Sequence, residues 1–385
     1  MAPRSTPQKP KTAEFFAGIG LARLGLERAG FDVHWANDIE PFKAEMYAGH
    51  FRDEVKSNAH QFKLGDIADI AGRDMPDMDM AWASFPCTDL SLAGGRAGMV
   101  GKASSTFYHF TRILEEMGSR RPNVVAVENV HGLATSHAGD DMTAAIRALN
   151  ELGYSVDVLA IDARRFVAQS RPRLFMVGVR DIDIVQETEG SELRPDFLQN
   201  FYGDPSLLMH KAALPALPAP LTSGLASEIE VMDDSDSRWW DEDRTLRFTS
   251  SLSTLQWSRF ASLRRAEGVT YRTAYRRTRN GSAVWEIRAD DISGCLRTAR
   301  GGSSKQAVVR LGNGKVQVRW MTPLEYARLM GAGDYELSGL RDSQILFGFG
   351  DAVCAPAVEW VGKHYLAPAL AGELSRVREL STISG

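Results

Sequence analysis

The run Val124-Val125-Ala126-Val127 constrains the fold more than any other stretch. Four apolar residues without polar alternation read as a strand covered on both faces. Such a strand belongs inside a largely parallel sheet with helices on either side. The neighbouring sequence agrees. Strand patterns at 14–17, 31–37, 78–85, 124–127, 154–161 and 173–179 alternate with helical spacing at 21–29, 40–49, 107–117 and 142–152. This predicts an α/β fold with an open, doubly wound sheet over 12–180. Sites in such sheets lie beyond the carboxyl ends of the strands.

The residues at those ends carry chemistry. After the strand at 78–85, Ser84-Phe85-Pro86-Cys87-Thr88-Asp89-Leu90-Ser91 places a cysteine on a loop, followed by Gly94, Gly95, Gly98 and Gly101. A thiol beside a glycine-rich segment reads as a nucleophile under a movable cover. The plainer reading is a small core hydrophobe. Phe15-Phe16-Ala17-Gly18-Ile19-Gly20 is a glycine turn between strand and helix, able to offer backbone N–H groups to a ligand. It lacks the third glycine of the dinucleotide fingerprint. Asn37-Asp38 ends the second strand with a carboxylate suited to ribose hydroxyls or, equally, to capping a helix. Gly65-Asp66-Ile67 is a third acidic end, so a nucleoside would fit. Glu128-Asn129-Val130 brings a carboxyl out of a dry strand, where burial favours its protonated form. In Gln169-Ser170-Arg171-Pro172-Arg173 alternate side chains share a face, either an anion clamp or a solvated edge.

Charge is unevenly distributed. The 385-residue chain has a net charge of −4, yet 244–319 holds 16 Lys/Arg against 4 Asp/Glu. Within it Tyr271-Arg272-Thr273-Ala274-Tyr275-Arg276-Arg277-Thr278-Arg279 interleaves aromatics and arginines, a pattern suited to a phosphate backbone. Cys87, Cys295 and Cys354 have no metal-ligand spacing, and no metal is expected. They imply a reducing compartment. No uninterrupted apolar run reaches membrane-span length, so no membrane partner is expected. Residues 1–11 read as a disordered tail.

Taken in order, these stretches resemble the DNA cytosine-5 methyltransferases of the bacterial or phage, restriction-modification-like type. The turn at 15–20, the acid at 38, Gly-Asp-Ile, Pro-Cys, Glu-Asn-Val and Gln-x-Arg-x-Arg follow one another as in that family. Gly294 to Gly302 resembles its ninth motif and Gly350-Asp351-Ala352-Val353 its last. The resemblance implies a Rossmann-like catalytic and cofactor domain at 12–185, a smaller target-recognition domain at 186–320, and a return at 321–385 that completes the first. It implies S-adenosyl-L-methionine as cofactor and S-adenosyl-L-homocysteine as product. Phe16, Gly18, Ile19 and Gly20 would lie by the methionine part, Asp38 on the ribose, Ile39 and Ile67 against adenine, and Asp66 on its amino group. Pro86, Asp351 and Ala352 complete that set. Cys87 would attack C6 of a flipped cytosine, Glu128 would act at N3, Arg173 would orient the ring, and Arg171 would support the loop or the DNA.

Thr88, Ser91, Arg96, Arg272, Arg276, Arg277, Arg279, Arg297 and Arg300 would face double-stranded DNA. The same resemblance implies a cytoplasmic, nucleoid-associated enzyme reading a specific sequence; a monomer is the default, because one recognition domain can read a site alone, and the sequence leaves open whether a cognate restriction endonuclease acts separately. Two departures stand out. Thr88 replaces the family's usual Gln, and Asp351 its usual Asn. The competing readings are an NAD-dependent oxidoreductase, a DNA-binding regulator without catalysis, and an enzyme acting on RNA cytosine.

Overall fold

The computed structural model describes residues 8–52, 59–86, 105–180, 186–187, 191–279, 281–298 and 305–374. The chain divides into two compact units. The first comprises Met1–Ile161, Pro172–Leu217 and Ala357–Gly385, and the second Asp162–Arg171 and Pro218–Pro356. These divisions fall elsewhere than the boundaries expected at 186 and 321. Residues up to Leu217 pack with the first unit, and the return to it begins at Ala357.

The first unit is built on a seven-stranded sheet. Its strands are β1 (Lys11–Phe15), β2 (Asp32–Asp38), β3 (Gln61–Leu64), β4 (Met80–Ala83), β5 (Val124–Val130), β6 (Ser155–Asp162) and β7 (Pro172–Val179). They lie in the order β3-β2-β1-β4-β5-β7-β6. The first five pair in parallel, and β7 runs antiparallel to β5. β1 begins at Lys11, inside the expected tail; residues 1–7 of that tail lie outside the described residues. Val124, Val125, Ala126 and Val127 are all buried, as their sequence demanded. Helices Leu21–Arg28, Pro41–His50, Ser105–Glu116 and Asp140–Glu151 supply the apolar faces that cover the strands.

Strand order reverses between β1 and β4, where the chain departs to opposite sides. Their carboxyl ends carry the glycine turn and the Pro86 segment. A crevice at such a switch point is where α/β sheets bind ligands.

The C-terminal return is fastened to the first unit by a buried polar cluster. Asp157 receives the Arg194 guanidinium at 2.8 and 2.5 Å and the hydroxyls of Tyr202 and Tyr365 at 2.6 and 2.9 Å. His210 meets the Tyr365 hydroxyl at 2.7 Å. Burial would raise the Asp157 carboxyl, but these donors hold it below its usual range. By length and composition Asp342–Leu370 could cross a membrane, yet 72% of its apolar window is buried inside the protein. It is a stretch of core helices.

The second unit holds a four-stranded antiparallel sheet, ordered β11-β10-β8-β9. These strands are β8 (Thr270–Arg279), β9 (Ser282–Ile287), β10 (Ala307–Gly312) and β11 (Lys315–Trp320). Its core joins Ala274, Trp285, Val309 and Val318 to Phe248 and Phe260, with Trp240 and Trp320 packed against them. Arg319 and Glu325 form a fully buried ion pair there.

Candidate active site

Register places the chemistry-bearing residues of the first unit along one edge. Phe15 pairs with Asn37 and with Ala83, and Asp38 pairs with Leu64. Ala83 pairs with Val127, one residue before Glu128, and Val130 pairs with Arg173. Beyond Phe15, Asp38 and Ala83 the parallel ladder stops and the chain enters the open end of the sheet, whereas Glu128 remains paired with Phe175 of β7.

The glycine turn is tightly held. Phe16, Gly18 and Gly20 all have left-handed backbones, at φ 57°, 57° and 82°. For Phe16 this is a strained conformation, of the kind that persists at ligand-facing turns. At Gly20 the reason for glycine is steric as well, because a Cβ would lie 2.5 Å from the Phe51 ring. Ala17 N–H donates to the Asn37 carbonyl at 2.8 Å, and Gly18 N–H donates to Asp38 Oδ2 at 2.8 Å. Ile19 is buried, so only its backbone can face a ligand.

Beneath the turn lies Glu14, 1% exposed, accepting the Arg23 N–H at 3.3 Å. Burial pushes its carboxyl up to about 8, against the opposing pull of the Arg23 guanidinium. Arg23 itself is buried, 2.5 Å from Glu27 and 4.0 Å over the Phe51 ring.

Asp38 is placed for a ligand but already in use. Its Oδ2 takes Gly18 N–H and its Oδ1 takes Glu40 N–H at 2.9 Å. Helix Pro41–His50 starts from Glu40 without a side-chain cap, so Asp38 is not that helix's cap. Each Asp38 oxygen has a second lone pair for a further donor. Asp66 is exposed and accepts Ala68 N–H at 2.9 Å, capping the short turn Ile67–Asp69. Ile39 is exposed as expected of a base-contacting residue, whereas Ile67 is buried. Leu64, exposed and paired with Asp38, is an apolar neighbour that the motif search passed over. Two carboxylates and exposed aliphatic side chains beside a left-handed glycine turn fit the apolar face and the hydrogen-bond donors of an adenosyl group.

At the other end of the edge, Glu128 is 6% exposed, with Oε1 2.9 Å from Arg173 Nε. Burial and the guanidinium act on this carboxyl in opposite directions. Next to it buried Asn129 donates from Nδ2 to the Phe85 carbonyl at 3.2 Å. That bond ties the end of β5 to the segment running into Pro86. Pro86 is exposed; Cys87, Thr88, Ser91 and Arg96 lie outside the described residues.

Gln169 and Arg171 do not form the solvated edge that was one reading of their stretch. Gln169 is fully buried, donating to the Leu329 carbonyl at 2.7 Å and accepting Leu296 N–H at 3.0 Å. Arg171, 1% exposed, donates to the carbonyls of Leu296, Gly350 and Ala352 at 2.7, 3.2 and 2.5 Å. A guanidinium enclosed by carbonyls braces loops and leaves no open face for an anion, which corrects the expected clamp with Arg173. It holds together the ninth and last motif segments of the second unit. Gly350 permits their contact, since a Cβ there would lie 2.3 Å from the Arg297 carbonyl oxygen. Asp351 is exposed at the end of helix Asp342–Asp351, and Ala352 meets Arg171 through its carbonyl.

The basic strand β8 is less free than its composition suggested. Alternation puts Arg272 and Arg276 on the face of buried Ala274, and Tyr271, Tyr275 and Arg277 on the other; the Arg279 side chain lies outside what is described. Arg272 sits 3.3 Å from Asp291 and reaches Thr270 Oγ1 at 2.6 Å. Arg276 lies 6.0 Å over the Trp285 ring. Arg277 has a half-exposed side chain 3.4 Å from Glu286, and Arg297 is exposed. Arg300 lies outside the described residues. Among the described residues no group of three His, Cys, Asp or Glu could hold a metal ion.

An open α/β sheet with its acids and glycine turn at one edge defines a nucleotide-binding class of fold, and the similarities to known proteins narrow it. The chain belongs to the C-5 cytosine-specific DNA methylase family, whose sequence profile matches residues 10–367. It is 28% identical over 243 residues to the type II methyltransferase M.Bsp6I of Bacillus sp. (strain RFL6), covering 62% of this chain and 66% of that protein. It is 34% identical over 203 residues to M.Sau3AI of Staphylococcus aureus, covering 48% and 47%. Each match thus spans two thirds or less of the relative's own length. In fold it is similar to the S. pombe Dnmt2 methyltransferase, with a TM-score of 0.57 at 16% identity over 92% of this chain and 97% of that one. The Entamoeba histolytica methyltransferase EhMeth gives 0.58 at 14% identity over 95% and 99%.

Proposed function

We propose that this protein methylates C5 of cytosine in double-stranded DNA at a specific sequence, using S-adenosyl-L-methionine. The observation that carries the reading is the Glu128–Arg173 pair at the end of β5, joined through Asn129 to the segment entering Pro86-Cys87. Cytosine C5 is a poor nucleophile until a group adds to C6. The Cys87 thiolate forms the S–C6 bond, and the displaced electron pair moves toward N3 and the ring carbonyl. Glu128 donates a proton or strong hydrogen bond at N3, and Arg173 holds the carbonyl oxygen while remaining in reach of Glu128. C5, now enamine-like, accepts the methyl group that the bound cofactor supplies. Loss of H5 to a base and elimination of the thiolate restore the C5–C6 double bond.

None of these atoms is accessible within a duplex, so the base must leave the stack. The Phe16–Gly20 turn, Asp38, Ile39 and Asp66 would hold the cofactor. The target-recognition role belongs to the second unit, with Arg277 and Arg297 as its candidate phosphate contacts. The protein would act as a monomer, apart from any endonuclease of matching specificity.

Nucleoside mass spectrometry of DNA from cells expressing the wild type and Cys87→Ala tests this. The expected result is 5-methylcytosine with the wild type alone. Unmodified DNA from cells holding folded wild-type protein would overturn the reading.

A further inference from the structure

We propose that Asn37 is a specificity-determining residue of the cofactor site, setting Asp66 relative to Asp38 and thereby the preference for adenine over hypoxanthine. This rests on the cofactor reading above.

Asn37 is 1% exposed and cannot touch a ligand itself. Its side-chain amide directs one hydrogen at the end of β3 and the other at the chain that follows it. Nδ2 donates to the Lys63 carbonyl at 2.8 Å and to the Gly65 carbonyl at 2.9 Å. The parallel ladder of β2 and β3 ends at Asp38 and Leu64, followed by one more bond, Gly65 N–H to the Asp38 carbonyl at 3.0 Å. Past that point no strand pairing fixes the backbone. The Asn37 amide takes over where the ladder stops, gripping the residue immediately before Asp66.

The same residue also serves the other side of the site. Its backbone carbonyl accepts Ala17 N–H at 2.8 Å, while its neighbour Asp38 accepts Gly18 N–H. Three ligand-facing segments, at 16–20, 38–40 and 65–67, therefore converge on Asn37 and Asp38. Asp38 is pinned by two backbone donors. Asp66 is held on its far side by its own turn and by the Arg112 guanidinium on the Ile67, Ala68 and Ile70 carbonyls; on the side facing Asp38 it is held through the Gly65 peptide, whose carbonyl Asn37 fixes. Gly65 has φ +155°, with no atom within 4 Å of a Cβ built there. The backbone conformation, not crowding, is what Gly65 contributes.

Base preference follows from the distance between Asp38 and Asp66. A carboxylate accepts a hydrogen bond from the adenine amino group, whereas hypoxanthine presents a carbonyl oxygen at the same position and is repelled. A site built around such a bond discriminates strongly only while its acceptor stays in place. Loss of the Asn37 amide releases the Gly65 carbonyl, while Gly65 N–H stays on the Asp38 carbonyl, so the peptide entering Asp66 can rotate and blur the position of its carboxylate. Asp38 keeps both of its donors, so the ribose contact survives.

Calorimetric binding of S-adenosylhomocysteine and its inosine analogue to the full chain tests this. The wild type should prefer the adenine form by at least roughly tenfold. Asn37→Ala should lower that ratio several-fold and lower the melting temperature as well, because two carbonyls lose their donor, so the ratio is read below the unfolding transition. Gly65→Ala perturbs the same peptide from its other end and should lower the ratio as well; it carries the test if Asn37→Ala does not fold. An unchanged ratio in the folded variants overturns the inference and leaves the cofactor reading intact. Wild type that binds neither nucleoside withdraws the cofactor reading, and this inference with it.

Discussion

The two sheets use charge in opposite ways. At the cofactor edge of the seven-stranded sheet, Asp38 and Asp66 are held by backbone N–H groups, and the peptide before Asp66 by a buried asparagine. In the four-stranded sheet and its surroundings, many arginines are bound to carboxylates or carbonyls of the same unit. Arg272 pairs with Asp291, Arg288 with Asp290, Arg310 with Asp234 and Arg319 with Glu325. A basic composition is therefore a poor measure of a free basic surface. Arg171 and Arg173 show the same contrast two residues apart, one enclosed by carbonyls and the other beside Glu128.

The sharpest way to break this comparison is at the strand ends. Glu128→Gln should lower methyl transfer by about 10²- to 10⁴-fold with little change in melting temperature, since it removes a proton donor. Equal losses of activity and stability would make Glu128 a structural group. Next, Arg171→Ala should cost on the order of 3 kcal/mol in denaturant unfolding, because several buried carbonyls lose a charged donor. Arg173→Ala should also cost on the order of 3 kcal/mol, because it strands the buried Glu128 carboxyl, but unlike Arg171→Ala it should lower turnover in protein that remains folded.

Glu14 gives a pH test confined to the first sheet. Burial lifts its folded carboxyl to about 8 from the ordinary 4.5, so between these values the folded protein keeps a proton that the unfolded chain releases. Stability should fall as pH rises through that window, by up to about 1.4 kcal/mol per pH unit, and level off above it. Glu14→Gln should flatten the slope in unfolding measured at pH 5, 7 and 9. The smallest effect is on DNA affinity. Arg277→Ala should weaken binding at every sequence and reduce the log–log salt slope by about 1, while Arg272→Ala should leave that slope nearly unchanged.

Much of the first sheet was legible because its signals are local. An apolar run such as 124–127 has few environments open to it, and a glycine turn or an acid at a strand end is visible in a short window. The strand and helix positions expected over 12–180 agree with those observed to within a few residues. The roles of Asn37, Asn129 and Glu14 were not legible. Each acts through a partner set by strand register, and asparagine or glutamate beside an apolar run has many meanings. The arginines of β8 misled for a related reason, because a strand places alternate side chains on opposite faces and sequence does not say which face is covered.

The sequence alone therefore determined the α/β class, the ordered motifs and the family, since these depend on periodicity and on residues close together in the chain. Only the tertiary structure decided which charged groups face one another. It enclosed Arg171, set Arg173 against Glu128, and put one asparagine amide in reach of the peptide before Asp66. Such contacts join residues tens to hundreds of positions apart, and burial and register, not local spacing, choose them.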